Sequence, residues 1–275
     1  MGVQSGQTAF VTGGAAGIGL SIARALAARG VNIMLADLDS ARLNDAATSI
    51  RALGTEVDVV MCDVADEAMM RAAAAATVER FGKVHIVVNN AGVATAGMAG
   101  SIAIKDWRWI VDINLMGVVH GTEIFLPLIK SHGEGGHIVN TASMAGHVAA
   151  AGMSPYNATK FAAVGYSEAV KAELAGTNIG ISVLCPAWVK TEIHKSGFAR
   201  PTGGGSVDDP HFKQMEAVIA SGLDPNVVGE WTTQCMADER FYIFTHPEFA
   251  TFIKQRHAQL IADYDACAAY PAFAK

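Results

Sequence analysis

The chain has 275 residues, of which 51% are hydrophobic and 17% charged, so it can bury a large core and is too apolar to remain disordered. Its 20 basic and 26 acidic side chains give a formal net charge of -6, and no cluster of Lys and Arg occurs, which argues against a nucleic-acid partner. The four cysteines are far apart and form no CxxC pair, so the sequence predicts no metal site and no disulfide framework.

Apolar, β-branched runs alternate with helical patterns along most of the chain. The predicted strands cover residues 8–12, 31–36, 56–61, 85–89, 137–141, 181–185 and 241–244. The predicted helices cover residues 18–29, 41–53, 67–81, 107–128 and 156–175. This alternation predicts an α/β fold in which a doubly wound parallel sheet of about seven strands is covered by helices on both faces.

The segment from Ser196 to Asp209 breaks the alternation, because it contains Gly203-Gly204-Gly205 and no regular apolar pattern. A connection of this length inside a compact domain is often functional. We therefore expect a mobile loop here, as part of a lid over about residues 190–225.

A glycine-rich turn follows the first predicted strand and opens the first predicted helix, with the sequence Thr12-Gly13-Gly14-Ala15-Ala16-Gly17-Ile18-Gly19. The free amide groups and the dipole of a helix N-terminus favour a pyrophosphate, and glycines let it approach the backbone closely. A tight connection with no ligand remains the alternative for a turn of this kind taken alone.

Asp37 closes the second predicted strand, 18 residues after Gly19. A carboxylate at this position can accept hydrogen bonds from both hydroxyls of an adenosine ribose, which favours NAD over NADP. Neither Ala16 nor Leu38 supplies the positive charge that a 2′-phosphate would need, and we expect nothing nearby to offset Asp37. The alternative is that Asp37 only caps the following helix.

Two further polar segments follow the third and fourth predicted strands, Asp63-Val64 and Asn89-Asn90-Ala91-Gly92. The carboxyl ends of parallel strands form the edge where ligands bind in open α/β sheets, so these residues are placed to contact the adenosine half of a dinucleotide. Ordinary turn chemistry is the alternative for both segments.

Tyr156 and Lys160 are four residues apart in a helical pattern, so the phenol and the ammonium group lie on one helix face. A cation stabilises a phenolate, and Lys160 together with a nicotinamide ring is expected to lower the pKa of Tyr156 toward catalytic use as a general acid or base. Ser143 follows the fifth predicted strand, where its hydroxyl can hold a substrate oxygen. Asn114 lies inside a predicted helix, where Asn is unfavourable, and this suggests a local distortion.

In order and spacing, these residues resemble the short-chain dehydrogenase/reductase family over about residues 6–246. The resemblance implies a Rossmann-type fold, and one dinucleotide-binding and catalytic domain over residues 1–275, in the shorter subgroup of the family. It assigns catalysis to Asn114, Ser143, Tyr156 and Lys160. Asn114 would hold a water in a proton relay through Lys160. Ala187 departs from the family pattern, which usually has Gly after the proline.

The resemblance also implies contacts to the cofactor, which we expect to be NAD. The expected cofactor-binding residues are Gly13, Ala15, Gly17, Ile18, Gly19, Asp37, Leu38, Asp63, Val64, Asn90, Ala91, Gly92, Tyr156, Lys160, Pro186, Val189 and Thr191. The last three belong to a stretch that resembles the nicotinamide-binding loop of the family.

The candidate substrate pocket is mostly apolar and adaptable. Its expected lining is Ser143, Met144, His147, Met153, Tyr156 and Trp188, with Phe198, His211, Phe212 and Met215 from the lid. The run from Phe241 to Phe249 is similar to that of bacterial dehydrogenases acting on aryl-substituted secondary alcohols, including lignin-derived β-aryl ethers. The alternative is that this run is only an edge strand and a subunit contact.

The sequence thus predicts an enzyme that transfers a hydride between NAD and a secondary alcohol or ketone, with a hydrophobic or aromatic substrate. An NADPH-dependent biosynthetic ketoreductase and a non-catalytic NAD-sensing protein remain as alternatives. The N-terminus lacks the features of a signal peptide and no segment reaches about 18 apolar residues, so we expect a cytoplasmic protein with no membrane partner. A homodimer or homotetramer is expected by analogy with related enzymes.

Overall fold

The structure, a computed structural model, describes residues 2–203, 207–208 and 210–273. The described residues form one seven-stranded parallel sheet with the strand order β3-β2-β1-β4-β5-β6-β7. The strands are β1 (Thr8–Thr12), β2 (Asn32–Asp37), β3 (Val57–Met61), β4 (Ile86–Asn89), β5 (Gly136–Thr141), β6 (Ile179–Cys185) and β7 (Tyr242–Phe244). The predicted α/β fold with a doubly wound parallel sheet is therefore confirmed.

Helices connect the strands and cover both faces of the sheet. They are α1 (Gly17–Ala27), α2 (Ser40–Arg51), α3 (Glu67–Phe81), α4 (Ile104–Val111), α5 (Gly117–His132), α6 (Ser154–Glu173), α7 (Pro210–Ala220), α8 (Pro225–Ala237) and α9 (Ala250–Ala268). Most predicted boundaries lie within a few residues of these, and α4, α7, α8 and α9 were not predicted as separate helices.

The two faces of the sheet bury two hydrophobic clusters, because alternate side chains of each strand point in opposite directions. Val11, Leu35 and Val88 belong to the cluster under α1, α2 and α8. Phe10 and Val87 belong to the cluster under α3, α5 and α6, where the Phe10 ring stacks on Phe125 at 4.4 Å. Burial on both faces explains why the central strands read as continuous apolar runs rather than as alternating ones.

The fold changes direction between β1 and β4, which are neighbours in the sheet although two strands separate them in sequence. Strands on either side of this point lead to helices on opposite faces, so the loops after β1 and β4 diverge and leave a crevice at the carboxyl edge. The glycine-rich turn after β1 and the Asn90-Ala91-Gly92 segment after β4 both lie at this crevice.

The segment predicted to be an irregular loop is helical in part. Ile193–Ala199 forms a 3-10 helix, so Ser196 and the three residues after it are helical rather than irregular. Gly204, Gly205, Ser206 and Asp209 of the predicted loop lie outside the described residues. The apolar residues Ile193 and Phe198 are half-buried, which explains why this part of the lid is ordered.

The helical run 104–132 is long and apolar enough to cross a membrane by length and composition alone. In the structure, 44% of its most apolar window is buried within the fold, as is usual for a helix that belongs to a protein core. The sequence expectation that no apolar segment reaches this length is therefore wrong, although burial gives this helix another explanation.

Candidate active site

The glycine-rich turn joins β1 to α1 by a backbone path that side chains would block. Gly13 has φ +61° and Gly17 has φ +54°, both in the left-handed region. A Cβ on Gly19 would lie 2.2 Å from the carbonyl oxygen of Gly13. Ala16 precedes α1 and makes no side-chain cap to its first turn, so the amide groups there can bind an anion such as a pyrophosphate.

Thr12 fastens this turn to the segment after β4. Its Oγ1 accepts hydrogen bonds from the backbone amides of Asn90 at 2.9 Å and Ala91 at 3.1 Å. The side-chain amide of Asn90 donates in return to the carbonyl oxygen of Thr12 at 3.1 Å. The two sides of the crevice are thus held at a fixed separation.

Asp37 ends β2 beside the same turn. Its Oδ2 accepts a hydrogen bond from the Ala15 amide at 3.1 Å, and its Oδ1 accepts one from the Leu38 amide at 2.8 Å. Asp39, not Asp37, caps α2 by accepting hydrogen bonds from two amides of its first turn. The alternative interpretation of Asp37 as a helix cap is therefore wrong.

Arg42 supplies a positive charge near Asp37 that the sequence analysis missed. Its Nη1 lies 2.6 Å from Oε2 of Glu192, and its Nε lies 3.5 Å from Oδ2 of Asp39. The hydrogen bond and charge of Glu192 raise the pKa of Arg42, with smaller contributions from Asp39 and Asp37. The expectation that nothing nearby offsets Asp37 is wrong, because a residue five positions along the chain is brought back by the first turn of α2.

The remaining predicted adenosine contacts lie along the same edge. Leu38 is 62% exposed, which leaves an apolar surface for a planar ring. Asp63 accepts a hydrogen bond from the Ala65 amide at 2.9 Å, so it does form a turn after β3. Val64 is buried and packs so closely on α5 that a Cβ on Gly117 would lie 2.7 Å from its Cγ2.

Asn114 lies in a π-helical turn, Asp112–Met116, between α4 and α5. The predicted distortion is therefore present, and π-turns inside α-helices are frequent at functional sites. The fully buried side chain donates to the Val93 carbonyl at 2.9 Å and accepts from the Val93 amide at 2.8 Å. It also donates to Thr159 Oγ1 at 3.3 Å, which links this turn to α6.

Tyr156 and Ser143 meet between α6 and the end of β5. Burial raises the pKa of Tyr156, while a hydrogen bond with the Ser143 side chain opposes that shift. The Lys160 Nζ lies 5.7 Å from the centre of the Tyr156 ring. For the protein alone, loss of solvation therefore outweighs the polar contact and keeps the pKa of Tyr156 raised, so a lowered pKa at this phenol depends on the charge of the nicotinamide ring.

Lys160 is the most deeply buried charged group of the site, with 3% of its surface exposed. Burial lowers its pKa from 10.5 to about 8, although the nearby Cys185 thiol opposes the shift. Its Nζ donates to the Thr141 carbonyl at 2.9 Å. An ammonium group has three donors, so Lys160 can also bind the hydroxyls of a ribose that lies along the crevice.

The loop after β6 closes the other side of the site. The Pro186 carbonyl accepts hydrogen bonds from the Met144 amide at 2.9 Å and the Ser143 hydroxyl at 3.2 Å. Val189 is buried and pairs with Leu223. Thr191 returns to the glycine-rich turn, where a Cβ on Gly17 would lie 3.0 Å from its Cγ2.

The crevice therefore fits a dinucleotide from end to end. The uncapped N-terminus of α1 suits the pyrophosphate, Asp37 and Leu38 suit the adenosine, and Lys160 suits the second ribose. The Pro186-to-Thr191 loop and the half-buried Tyr156 complete the crevice where the nicotinamide would lie.

Two of the contacts that hold the lid lie near the segment after Gly92 and on α4. Ser196 Oγ accepts a hydrogen bond from the Ala94 amide at 2.9 Å. The amide and the hydroxyl of Thr202 donate to the buried carboxylate of Asp106 on α4, at 3.1 and 2.5 Å. The lid thus lies across the segment that follows Gly92.

The predicted substrate residues do not all have free side chains. The His147 ring packs on Tyr242 and Phe244, with its Nε2 3.3 Å from the Cys185 Sγ. Met144 is buried, whereas Trp188 is 38% exposed.

Met153 pairs by a backbone bridge with Gly97. The Phe198 and Phe212 rings are 5.0 Å apart, and Met215 is half-buried on α7. The side chain of His211 lies outside the described residues.

Two positioning residues were missed by the sequence analysis. Asn157 donates to the carbonyls of Ala145 and Val148 at 2.9 and 3.2 Å, and so fixes the segment between Ser143 and Tyr156. His246 donates from Nε2 to the Trp188 carbonyl at 3.1 Å and so holds the loop after β6. A lone Asn or His carries no local signal for such long-range contacts.

Comparison with known proteins identifies the family. Residues 7–201 match the model of the short chain dehydrogenases. The chain belongs to this family. A CLA biosynthesis dehydrogenase/reductase of Lactiplantibacillus plantarum is 35% identical over 266 residues, which are 92% of this chain and 93% of that protein. A C alpha-dehydrogenase of Sphingobium is 30% identical over 262 residues, or 94% and 86% of the two chains.

Solved structures of similar dehydrogenases share the whole fold. A short-chain dehydrogenase/reductase from Burkholderia phymatum, in complex with NAD, has a TM-score of 0.90 at 36% identity, covering 96% of this chain and 97% of that one. A variant actinorhodin polyketide ketoreductase with NADPH has a TM-score of 0.76 at 31% identity, covering 89% and 97%. The chain is thus a short-chain dehydrogenase with a nucleotide-binding fold, and its relatives include both dehydrogenases and ketoreductases.

Proposed function

We propose that this short-chain dehydrogenase transfers a hydride between NAD and a secondary alcohol or ketone. The observation that carries the proposal is the contact of Tyr156 with Ser143 above the buried ammonium group of Lys160, at the end of a crevice that fits a dinucleotide. A non-catalytic NAD-sensing protein has little need of this arrangement.

The proposed mechanism assigns one proton transfer to this chain. Ser143 and Tyr156 hydrogen-bond the substrate oxygen, and Tyr156 Oη accepts its proton during oxidation or returns it during reduction. A bound nicotinamide supplies the hydride acceptor or donor. The charge of Lys160 favours the phenolate, and Asn114 keeps the Gly92-Val93 backbone in place beside that ammonium group.

We propose NAD as the cofactor because the Asp37 carboxylate would repel a 2′-phosphate. The similarity to the NAD complex of the Burkholderia dehydrogenase supports this choice. NADPH-dependent reduction is the second candidate, supported by the ketoreductase and by Arg42. Arg42 is held by Glu192 and Asp39, so a phosphate would have to compete with two carboxylates for it.

We propose a hydrophobic or aromatic substrate. The lid brings Phe198 and Phe212 together, and the similarity to a C alpha-dehydrogenase agrees with a substrate oxidised at a secondary carbon. No basic cluster in the sequence marks a phosphorylated substrate.

We further propose that the chain acts as one catalytic domain and as a homo-oligomer in the cytoplasm. The single seven-stranded sheet supports the first point. The second is supported by α9, whose residues are all at least partly exposed, including Leu260 and Tyr264. Lys254 and Arg256 precede Asp263 and Asp265 on α9, so two antiparallel copies would pair opposite charges.

The cysteines support the proposed cytoplasmic location. They are free, three of them are buried, and free cysteines suit a reducing compartment.

The proposed mechanism is tested by Tyr156→Phe. This change removes the hydroxyl that transfers the proton but keeps the ring, so turnover of a verified alcohol should fall at least ~10²-fold while NAD affinity stays within about twofold. Turnover is followed by the absorbance of the reduced nicotinamide, and NAD affinity is measured by calorimetric titration. A variant that kept most of the wild-type rate would refute the mechanism and favour the NAD-sensing alternative.

A further inference from the structure

His194 is a buried histidine of the lid that has no hydrogen-bond partner among the described residues. Its side chain is 7% exposed, and neither ring nitrogen makes a hydrogen bond. The nearest charge, Glu216 Oε1, lies 3.7 Å from Nε2, beyond hydrogen-bonding distance. Buried polar groups are nearly always hydrogen-bonded, because leaving one unpaired costs free energy. The two ring nitrogens therefore need a partner that the described residues do not supply.

His194 lies in the 3-10 helix Ile193–Ala199, three residues after Thr191 of the loop that follows β6. Residues three apart lie on the same face of a 3-10 helix, so His194 shares a face with Gly197. A Cβ on Gly197 would lie 3.5 Å from the Ala94 carbonyl oxygen. The 3-10 helix therefore lies against the segment after Gly92, where Thr95 Oγ1 is also buried without a partner.

The surroundings of His194 are aromatic. The centre of its ring lies 5.3 Å from that of Phe212, which in turn lies 5.0 Å from Phe198. Aromatic rings at such distances favour a further ring in an offset or edge-on arrangement. Glu216, which is about half exposed, supplies a negative charge on the α7 side.

These features select one kind of ligand group. A neutral imidazole offers one donor and one acceptor, so its natural partner both donates and accepts. A carboxylate only accepts, and Glu216 would repel it. A hydroxyl on an aromatic ring meets both conditions, since its oxygen can pair with the imidazole while its ring packs on Phe212 and Phe198.

We propose that His194 is a specificity-determining residue that hydrogen-bonds a hydroxyl on the aromatic ring of the substrate, remote from the reacting carbon. This inference rests on the proposed function for the location of the substrate, and it narrows the substrate class to hydroxyaryl alcohols or ketones.

The test compares para-hydroxyacetophenone with para-methylacetophenone, which differ only in the group that His194 would bind. Calorimetric titration of the full-length protein with NAD present measures binding without reduction. We expect the wild type to bind the hydroxyl compound about tenfold more tightly, and His194→Phe to lose that preference. His194→Gln keeps a donor and an acceptor and should retain part of it. Glu216→Gln is the matched control and should keep the preference.

The outcomes test the role of His194 and the proposed function separately. Equal binding of the two ketones to the wild type, or an undiminished preference in His194→Phe, overturns the inference. If His194→Phe does not fold, His194→Thr takes its place. Loss of the hydroxyl preference in His194→Thr supports the inference, and an undiminished preference overturns it. A hydroxyl preference that depends on His194, with no oxidation of the corresponding alcohols, contradicts the proposed function and leaves the inference standing.

Discussion

At the scale of single residues, the site places a charge where it costs stability. Lys160 is buried among the residues that would contact cofactor and substrate, and the lowered pKa records the cost of desolvating it. Such a group is retained for its chemistry rather than for the fold. The same holds for Tyr156, because burial raises its pKa.

Lys160→Met should therefore raise the melting temperature at neutral pH by a few degrees while it abolishes turnover and weakens NAD binding. The folded-state pKa of about 8 lies below the value of 10.5 for the unfolded chain. The wild type thus binds fewer protons when folded, and gains stability as pH rises between these values. The advantage of the variant should be largest below pH 8 and shrink above it. Thermal unfolding across pH would contradict this if the difference were constant.

Cofactor choice is also decided by few residues. Asp37→Ser combined with Leu38→Arg removes a negative charge and adds a positive one at the adenosine end, so the ratio of kcat/KM for NADP over NAD should rise at least about 100-fold. Glu192→Gln, which frees Arg42 from its closest carboxylate, should raise the ratio by less. Comparable efficiency of the wild type with both cofactors would contradict the proposed NAD preference.

At the scale of elements, the lid is held by contacts between segments far apart in sequence. The two hydrogen bonds from Thr202 to Asp106 join it to α4, and the one between Ala94 and Ser196 joins it to the catalytic side. A lid held by a few polar contacts can open with a small loss of free energy, as substrate exchange requires.

Asp106→Ala removes the anchor on α4 and should raise the KM of the substrate about tenfold, since an open lid binds substrate less well, without changing the KM of the cofactor by more than about twofold. Limited proteolysis should cut the lid faster. Asp263→Ala, on exposed α9, is the control and should change neither quantity. Equal rises in both KM values would indicate a wider loss of structure.

At the scale of the whole molecule, α9 is the one described helix of more than fifteen residues without a buried residue. Most helical stability in proteins comes from packing of one helix face, so contact with a second copy explains the persistence of α9 better than propensity does. Arg256 lies 5.2 Å from the Phe161 ring on α6, which holds the helix against its own subunit.

Light scattering at micromolar concentration should show a dimer or tetramer, and Leu260→Asp should at least halve the mass because it places a charge at the centre of the proposed contact. Lys254→Asp should weaken the assembly, and adding Asp265→Lys should restore it. A monomeric wild type would contradict the oligomer. An unchanged mass in Leu260→Asp would leave α9 outside the contact.

The sequence alone was enough to predict the parallel sheet and the order of its motifs, because strand and helix periods and glycine positions are local properties. It also determined the irregularity at Asn114, since Asn is unfavourable inside a helix and the structure has a π-turn there. Contacts that exist only in the folded chain produce the raised pKa of Tyr156, the charge of Arg42 beside Asp37, and the roles of Asn157 and His246. Burial and contacts between distant segments arise when the sheet assembles, and no local pattern encodes them.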